Sequence, residues 1–174
     1  MALVLMSAFI VLQLIFAAFI VFLCLAFITG GPFVPTSQKS VEAMITAAHI
    51  KSGMIVYDMG SGDGRVLFAA AAHGALAVGV EINPILVWYT RLRALFSPYR
   101  GRIRVIWGDL WRTDLSPANL VFIYLIPWRM DEFAAKLTRE LKPGSTVVSN
   151  SFIFKNWKVI HADARHHMFT FRIS

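Results

Sequence analysis

The chain has 174 residues, of which 57% are apolar, and it carries a net charge of +7 from 17 Lys and Arg against 10 Asp and Glu. So high an apolar fraction excludes intrinsic disorder, and the single cysteine excludes a scaffold held together by disulfides. The first charged residue is Lys39, and about half of the residues after position 28 are apolar, as in an ordinary soluble domain. The composition therefore predicts one apolar segment and one soluble domain, and it excludes a transporter with several spans.

The apolar segment lies at the start of the chain. Only two of residues 1–28 are not apolar, and none of them is charged. A helix needs roughly 20 apolar residues to cross a bilayer, whereas the apolar core of a cleaved signal peptide has about 7–15 and follows a basic region. We therefore predict an uncleaved transmembrane anchor over residues 1–29. Cys24 lies within this segment and indicates no disulfide.

A short connector, residues 30–36, follows the predicted anchor. It contains two glycines and two prolines, which end helices. A connector of about six residues spans at most roughly 20 Å, so the domain at residues 37–174 is expected to lie close to the membrane. No Lys or Arg precedes the apolar helix, while Lys39 and Lys51 follow it. The positive-inside rule then predicts that the domain lies on the cytoplasmic side or its organellar equivalent.

Beyond the connector, helix and strand patterns alternate. Apolar residues at helical spacing predict helices over 41–48, 66–73, 85–92 and 130–141. The first has Thr36 or Ser37 as its N-cap, and Asn83 followed by Pro84 opens the third. Short apolar runs predict strands at 54–57, 77–80, 103–107, 120–125 and 146–149, with a terminal hairpin at 158–161 and 168–173. This alternation predicts an α/β fold with a mostly parallel sheet and a C-terminal antiparallel hairpin.

Acidic residues follow the first three predicted strands. Asp58 precedes the sequence Gly-Ser-Gly-Asp-Gly at residues 60–64, the glycine loop, while Glu81 and Asp109 come after the second and third strands. Alternate glycines allow a tight turn and close approach of the backbone to a ligand. Parallel sheets bind ligands at the carboxyl ends of their strands, where an acid can accept both hydroxyls of a ribose. A dinucleotide-binding fingerprint needs glycine where Arg65 stands, so the spacing disfavours a nicotinamide enzyme.

Together these motifs resemble the class I S-adenosylmethionine-dependent methyltransferases over the whole soluble domain. Four segments are also similar to the membrane-anchored ATP synthase c-subunit lysine N-methyltransferase family. They are Pro-Phe-Val-Pro-Thr at 32–36, Val-Glu-Ile-Asn-Pro at 80–84, Leu-Val-Trp-Tyr at 86–89 and Gly-Asp-Leu-Trp at 108–111. The resemblance implies a Rossmann-like class I methyltransferase sheet, with residues 37–174 as the methyltransferase domain.

The resemblance also implies a site for S-adenosylmethionine, with S-adenosylhomocysteine as the product. Glu81 is expected to hold the ribose, Asp109 the adenine, and Asp58 the loop or the methionine amino group. The expected cofactor-binding residues are Asp58, Gly60, Ser61, Gly62, Asp63, Gly64, Glu81, Ile82, Asn83, Asp109 and Leu110. The expected acceptor channel consists of Thr36 and the residues after the fourth strand, Ile126, Pro127 and Trp128.

These features predict an enzyme that transfers a methyl group from S-adenosylmethionine to a lysine of a membrane or membrane-proximal protein. Methylation of a lipid headgroup or small molecule, and a non-catalytic membrane-anchored adaptor that binds nucleosides, are the alternatives. The residues after the fourth strand lack the amide or acid that opens the acceptor motif of amide-N methyltransferases, which argues against base or glutamine methylation. The predicted location is the bacterial inner membrane or the mitochondrial inner membrane, with the domain on the cytoplasmic or matrix side. The expected partners are the lipid bilayer and a membrane protein, without nucleic acid or metal.

Five arginines lie within residues 91–104. A solvated face, contact with anionic headgroups and RNA binding are three interpretations of this run. Among the remaining conspicuous residues, we expect core positions for Trp107, Trp111 and Trp157, and strand positions for His166 and His167.

Overall fold

The computed structural model describes residues 1–29, 35–125 and 129–174. The chain divides into two compact units, residues 1–34 and residues 35–174.

The first unit contains one long apolar helix, α1 (Ala2–Thr29). At about 1.5 Å per residue such a helix is roughly 40 Å long, more than the roughly 30 Å of a bilayer core. Its window Val4–Val21 has a mean hydropathy of 2.7, and none of that window is buried. Among the described residues it is the one helix that is long and apolar enough to cross a membrane.

The second unit is built on a seven-stranded sheet with the strand order β3-β2-β1-β4-β5-β7-β6. The five parallel strands are β1 (Ile55–Met59), β2 (Leu76–Glu81), β3 (Ile103–Trp107), β4 (Leu120–Ile123) and β5 (Thr146–Asn150). The antiparallel strands β6 (Val159–Asp163) and β7 (Met168–Arg172) form the C-terminal hairpin. The predicted fold class is thus confirmed. Strand order reverses between β1 and β4, and ligands of such sheets bind at this switch point.

In the described part of this unit, α2 (Gln38–Ala48) precedes the first strand, and α3 (Arg65–Ala72), α4 (Pro84–Leu95) and α5 (Met130–Glu140) lie between strands. A single 3-10 turn, Arg100–Arg102, comes before β3. Local sequence explains where two of the helices begin. The Ser37 side chain accepts a hydrogen bond from the backbone N–H of Ser40 at 3.1 Å. Asn83 accepts from the backbone N–H of Ile85 at 2.9 Å, and Pro84 occupies the first helical position, where no N–H is needed.

The core lies on both faces of the sheet. On one face, Val56, Leu120 and Phe122 belong to a buried cluster together with residues of α2, α3 and α4. On the other face, a cluster with α5 contains Val121 and Phe133 among its members. A parallel sheet covered on both faces needs strands that are apolar throughout, and β4 is buried at all four of its positions.

Two expectations about single residues were wrong. Trp107 was expected in the core but is 64% exposed, because it ends the edge strand β3. The two histidines were expected in a strand, but His166 and His167 lie in the turn between β6 and β7. There, Nδ1 of His166 lies 2.8 Å from a carboxylate oxygen of Asp163, and His167 adopts a positive φ of 52°.

Candidate active site

The glycine loop connects β1 to α3 and depends on backbone conformations that side chains rarely adopt. Gly60, Gly62 and Gly64 have φ angles of 87°, 54° and 79°. A Cβ atom on Gly64 would lie 2.4 Å from Cγ2 of Thr90 on α4, so this glycine is also required by close packing. A Cβ on Gly60 would meet no atom within 4 Å, so the space beside the loop is open there.

The loop is fixed to the second strand by hydrogen bonds. The backbone N–H groups of Gly60 and Ser61 donate to the carbonyl oxygen of Val80, at 2.9 and 3.0 Å. The Thr90 hydroxyl donates to the carbonyl oxygen of Gly62 at 3.1 Å. Thr90 is fully buried, and it is a site residue that the sequence reasoning missed, because one threonine in an apolar helix pattern gives no indication of its partner.

Glu81 ends β2 and is buried beside the loop, at 8% exposure. One carboxylate oxygen accepts the backbone N–H of Gly62 at 2.9 Å, and the other accepts that of Asn83 at 2.8 Å. These two bonds fix the carboxylate in one orientation. Each carboxylate oxygen can accept a further hydrogen bond, so Glu81 can still receive two hydroxyl donors from a ligand.

Asp58 lies next to Glu81, on the neighbouring strand β1, and is 7% exposed. Burial, assisted by the charges of Glu81 and Asp63, raises the pKa of Asp58 from 3.8 to about 7. No hydrogen bond from the described residues offsets this rise. A buried carboxylate without donors favours a cationic ligand group, because a positive charge beside it restores the ionised form.

The carboxylate of Asp63, inside the glycine loop, forms an ion pair with another side chain of the protein. The Arg65 guanidinium binds both of its carboxylate oxygens, at 2.9 and 2.6 Å. This hydrogen bonding lowers the pKa of Asp63. Nη1 of Arg65 also donates to the carbonyl oxygen of Thr36, so the pair ties the loop to the start of the domain. The side chain of Asp63 therefore supports the loop.

The segment after β3 lies against the end of β2. The backbone N–H of Gly108 donates to the carbonyl oxygen of Glu81 at 3.0 Å. Asp109 accepts the backbone N–H of Trp111 at 2.9 Å, and its side chain is 36% exposed. Leu110 packs against the core cluster on the α5 face of the sheet. The structure thus brings the three acids to the carboxyl ends of three adjacent strands, β1, β2 and β3.

The other expected cofactor residues lie around this edge. Ile82 is 43% exposed beside Glu81, and Asn83 caps α4. Ser61 is buried, and its hydroxyl has no hydrogen-bond partner among the described residues.

The expected acceptor channel is only partly described. Ile126, Pro127 and Trp128 lie outside the described residues. Thr36 is half-buried, and its carbonyl oxygen is held by Arg65. Near the carboxyl ends of β4 and β5, the ring of Tyr124 stacks on Phe152 with 6.3 Å between centroids. This aromatic pair was not among the expected site residues, since only pairing of β4 with β5 brings the two positions together.

The arrangement fits S-adenosylmethionine on three observations. The space beside Gly60 is open, the Asp58 carboxylate receives no hydrogen bond from the described residues, and Glu81 can accept two more hydrogen bonds. S-adenosylmethionine carries an ammonium group, which matches the Asp58 carboxylate, and a ribose with two hydroxyls, which match the two free acceptor positions of Glu81. Across the described residues no cluster of His, Cys, Asp and Glu has the geometry of a metal site.

Known proteins are similar to this chain in sequence. The family model of the ANTKMT methyltransferase domain matches residues 58–161. The ATP synthase c-subunit lysine N-methyltransferase of Homo sapiens is 39% identical over 130 residues, which make up 75% of this chain and 55% of that protein. A protein-lysine N-methyltransferase of Saccharolobus islandicus is 34% identical over 135 residues, 76% of this chain and 84% of the relative. The chain thus spans about half the length of the human relative it matches.

A solved structure has the same fold. The crystal structure of an RNA methyltransferase from Salinibacter ruber in complex with S-adenosyl-L-homocysteine superimposes with a TM-score of 0.75 at 33% sequence identity. The match covers 80% of this chain and 92% of that chain. The fold of this chain therefore binds S-adenosyl-L-homocysteine in the Salinibacter protein.

Proposed function

Because this chain belongs to the ANTKMT methyltransferase domain family, we propose that it transfers a methyl group from S-adenosylmethionine to a lysine side chain of a membrane or membrane-proximal protein. The observation that carries the proposal is the pair of buried acids beside the glycine loop, Asp58 and Glu81. Asp58 has no hydrogen-bond donor in the described part of the chain, and Glu81 is oriented by two backbone N–H groups. Relatives named as protein-lysine methyltransferases support lysine as the acceptor.

In this proposal the chain's residues bind and orient the two reactants. S-adenosylmethionine supplies a methyl group on a positively charged sulfur. Glu81 accepts the ribose hydroxyls, Asp58 pairs with the ammonium group, and Asp109 lies at the adenine. The open space beside Gly60 receives the methionine part. Alignment of this kind supplies much of the acceleration of a displacement between two bound groups.

The acceptor lysine must be neutral to attack the methyl group, and its ordinary pKa is about 10.4. The positive sulfur and removal of water both disfavour a second positive charge nearby. The lysine therefore loses its proton to solvent without a dedicated base from the chain. Thr36 and the residues 126–128 remain the proposed lining of the channel.

Helix α1 supports the membrane part of the proposal, because its length and composition suit a transmembrane anchor. The domain would then lie on the cytoplasmic or matrix side of a bacterial or mitochondrial inner membrane. A relative named for the c-subunit of ATP synthase acts on a membrane protein, which supports the same class of substrate.

Incubating membranes with the full chain and methyl-labelled S-adenosylmethionine tests the proposal. Label is expected in a protein band, on lysine after hydrolysis. Glu81→Ala should abolish transfer and S-adenosylhomocysteine binding. Asp131→Asn is the matched control, since it removes an exposed carboxylate that pairs with Lys155 at 3.0 Å. Label in the lipid extract alone, or binding without transfer, would contradict lysine methylation.

An RNA acceptor is the second candidate, because the Salinibacter relative with 92% of its chain covered is named an RNA methyltransferase. The net charge of +7 also suits a polyanion. Adding total RNA to the same labelling reaction separates the two. Label in RNA that exceeds the label in protein would favour this second candidate over lysine.

A further inference from the structure

Helix α4 turns an apolar face toward solvent. Its buried residues are Val87, Thr90 and Ala94. Six large apolar side chains that are 49–80% exposed form what we call the α4 face: Ile85, Trp88, Tyr89, Leu92, Leu95 and Phe96. At about 100° per residue, these six fall within an arc of roughly 120° opposite the buried residues. The apolar face is therefore continuous along the whole helix.

Two residues extend the α4 face beyond the start of the helix. Trp107 and Ile82 are 64% and 43% exposed, and Nε1 of Trp107 donates to the carbonyl oxygen of Ile82 at 3.1 Å. At roughly 150–250 Å² for a whole aromatic side chain, Trp88, Phe96 and Trp107 alone expose on the order of 300–500 Å². That equals the largest apolar patch of a typical monomer, roughly 300–600 Å², before the aliphatic residues are counted. Tyr89 and the aliphatic residues take the exposed apolar area above that size, and patches larger than this mark interaction surfaces.

Arginines flank the α4 face on both sides. Arg91 and Arg93 lie at about 120° and 80° on either side of Ile85 around the helix axis, and both are exposed. Arg91 donates to the carbonyl oxygen of Val105 at 2.8 Å, and Arg93 donates to that of Asp63 at 2.9 Å, so both are held in place. Residues 82–107 contain five arginines and no acidic residue. The surface is therefore apolar and aromatic in the middle and cationic at its edges.

We propose that the α4 face, together with Ile82 and Trp107, docks on an anionic lipid bilayer, with its aromatic side chains among the headgroups. Trp and Tyr favour this interfacial zone, and an amphipathic helix with arginines beside its apolar face binds anionic lipid. A surface with five arginines and no acid in its sequence complements the continuous negative charge of an anionic leaflet.

The proposal rests on the membrane anchoring put forward under the proposed function and extends it. In the sequence only residues 30–34 separate α1 from Pro35, so a bilayer that held α1 would be within reach of the domain. Glu81 immediately precedes Ile82. Docking would therefore hold the cofactor edge of the sheet beside the headgroups, where a lysine at the membrane surface can approach it.

Spin labels on the full chain test the docking. The chain carries Cys24→Ser, which removes its one cysteine, and is reconstituted in phosphatidylcholine vesicles with a minor fraction of phosphatidylglycerol. A nitroxide is attached through Leu92→Cys on the α4 face or through Ile160→Cys on the opposite edge strand β6. These two residues are both 50% exposed, so they form a matched pair. A third label through Leu12→Cys reports on the anchor separately.

We expect the nitroxide at 92 to be accessible to dissolved oxygen, which partitions into lipid. Its accessibility to a water-soluble nickel chelate should be several-fold lower than that of the nitroxide at 160. Omitting phosphatidylglycerol should remove this protection. Equal nickel accessibility at 92 and 160 overturns the proposal, whether or not the label at 12 lies in lipid. Dipolar broadening between labels at 92 in the absence of lipid would instead identify a second copy as the occupant. S-adenosylhomocysteine binding by the same samples shows independently whether the proposed cofactor site has failed.

Discussion

Replacing Asp58 by asparagine probes the buried acid pair with the smallest change of shape. The native side chain is 7% exposed and lies beside Glu81, and no hydrogen bond of the described residues stabilises its charge. Asparagine keeps the volume and removes the titrating group. We expect the Asp58→Asn chain to be more stable than the native chain without ligand at neutral pH, and to lose S-adenosylhomocysteine binding.

The magnitude follows from the pKa of Asp58, which burial and the neighbouring acids raise from 3.8 to about 7. The folded chain keeps this proton at pH values where the unfolded chain has released it. The stability that the group contributes is therefore complete below about pH 4 and is lost as the pH rises to about 7. Each pH unit in this range costs about 1.36 kcal/mol. From pH 5 to pH 8 the native chain should lose about 3 kcal/mol that the variant keeps.

Denaturant unfolding in detergent micelles at both pH values, followed by tryptophan fluorescence, measures this difference. The free energy of unfolding of the variant, relative to the native chain, should rise between pH 5 and pH 8. Asp131→Asn is the control, because its side chain is 65% exposed and it should change stability by under about 1 kcal/mol at either pH. A gap between Asp58→Asn and the native chain that does not change with pH would refute the reasoning, since the carboxyl would then have water or a donor beside it.

Three other measurements test the same site. Gly64→Ala should lower the free energy of unfolding by at least about 2 kcal/mol, because φ is 79° and the new Cβ would lie 2.4 Å from Thr90, whereas Gly101→Ala meets no atom within 4 Å and should be close to neutral. In the proposed site the ligand's ammonium group pairs with ionised Asp58, whose pKa is about 7. Calorimetry of the native chain should therefore find S-adenosylhomocysteine binding about tenfold weaker at pH 6 than at pH 8. An unchanged affinity would remove Asp58 from that role. Glu81→Gln should weaken the same binding by at least about tenfold, because an amide cannot accept both backbone N–H groups; native affinity would show that the ribose lies elsewhere.

Local patterns of the sequence predicted much of the fold. The strand predicted at 103–107 is β3, and the cap at Asn83 with Pro84 opens α4 as expected. Caps, turns and apolar periods act between residues that are close along the chain, so a linear reading finds them. The ends of an element differ from the predicted ones where pairing with neighbouring strands sets them. The strand expected at 120–125 ends at Ile123, where its pairing with β1 and β5 stops.

The part of the candidate site that lies at the carboxyl ends of the strands could be predicted from the sequence. Acids placed after successive parallel strands meet at one edge of the sheet, and the structure brings Asp58 and Glu81 together there. Sequence could not tell which acids stay free for a ligand. Asp63 and Asp58 were both expected to bind the cofactor. Arg65 pairs with Asp63, whereas Asp58 receives no hydrogen bond from residues 1–29, 35–125 or 129–174. Side-chain pairing of this kind depends on directions in space.

The sequence by itself determined the order of helices and strands, the glycine loop and the apolar character of α1, because each is set by residues near one another along the chain. Only the tertiary structure decided that Thr90 closes over Gly64 from a distant helix. The tertiary structure also decided which side of α4 is buried. The spacing of apolar residues shows that the helix has an apolar face, but which face contacts the sheet depends on how the whole helical layer packs. The α4 residues that packed inward are Val87, Thr90 and Ala94, and the larger apolar side chains were left on the surface.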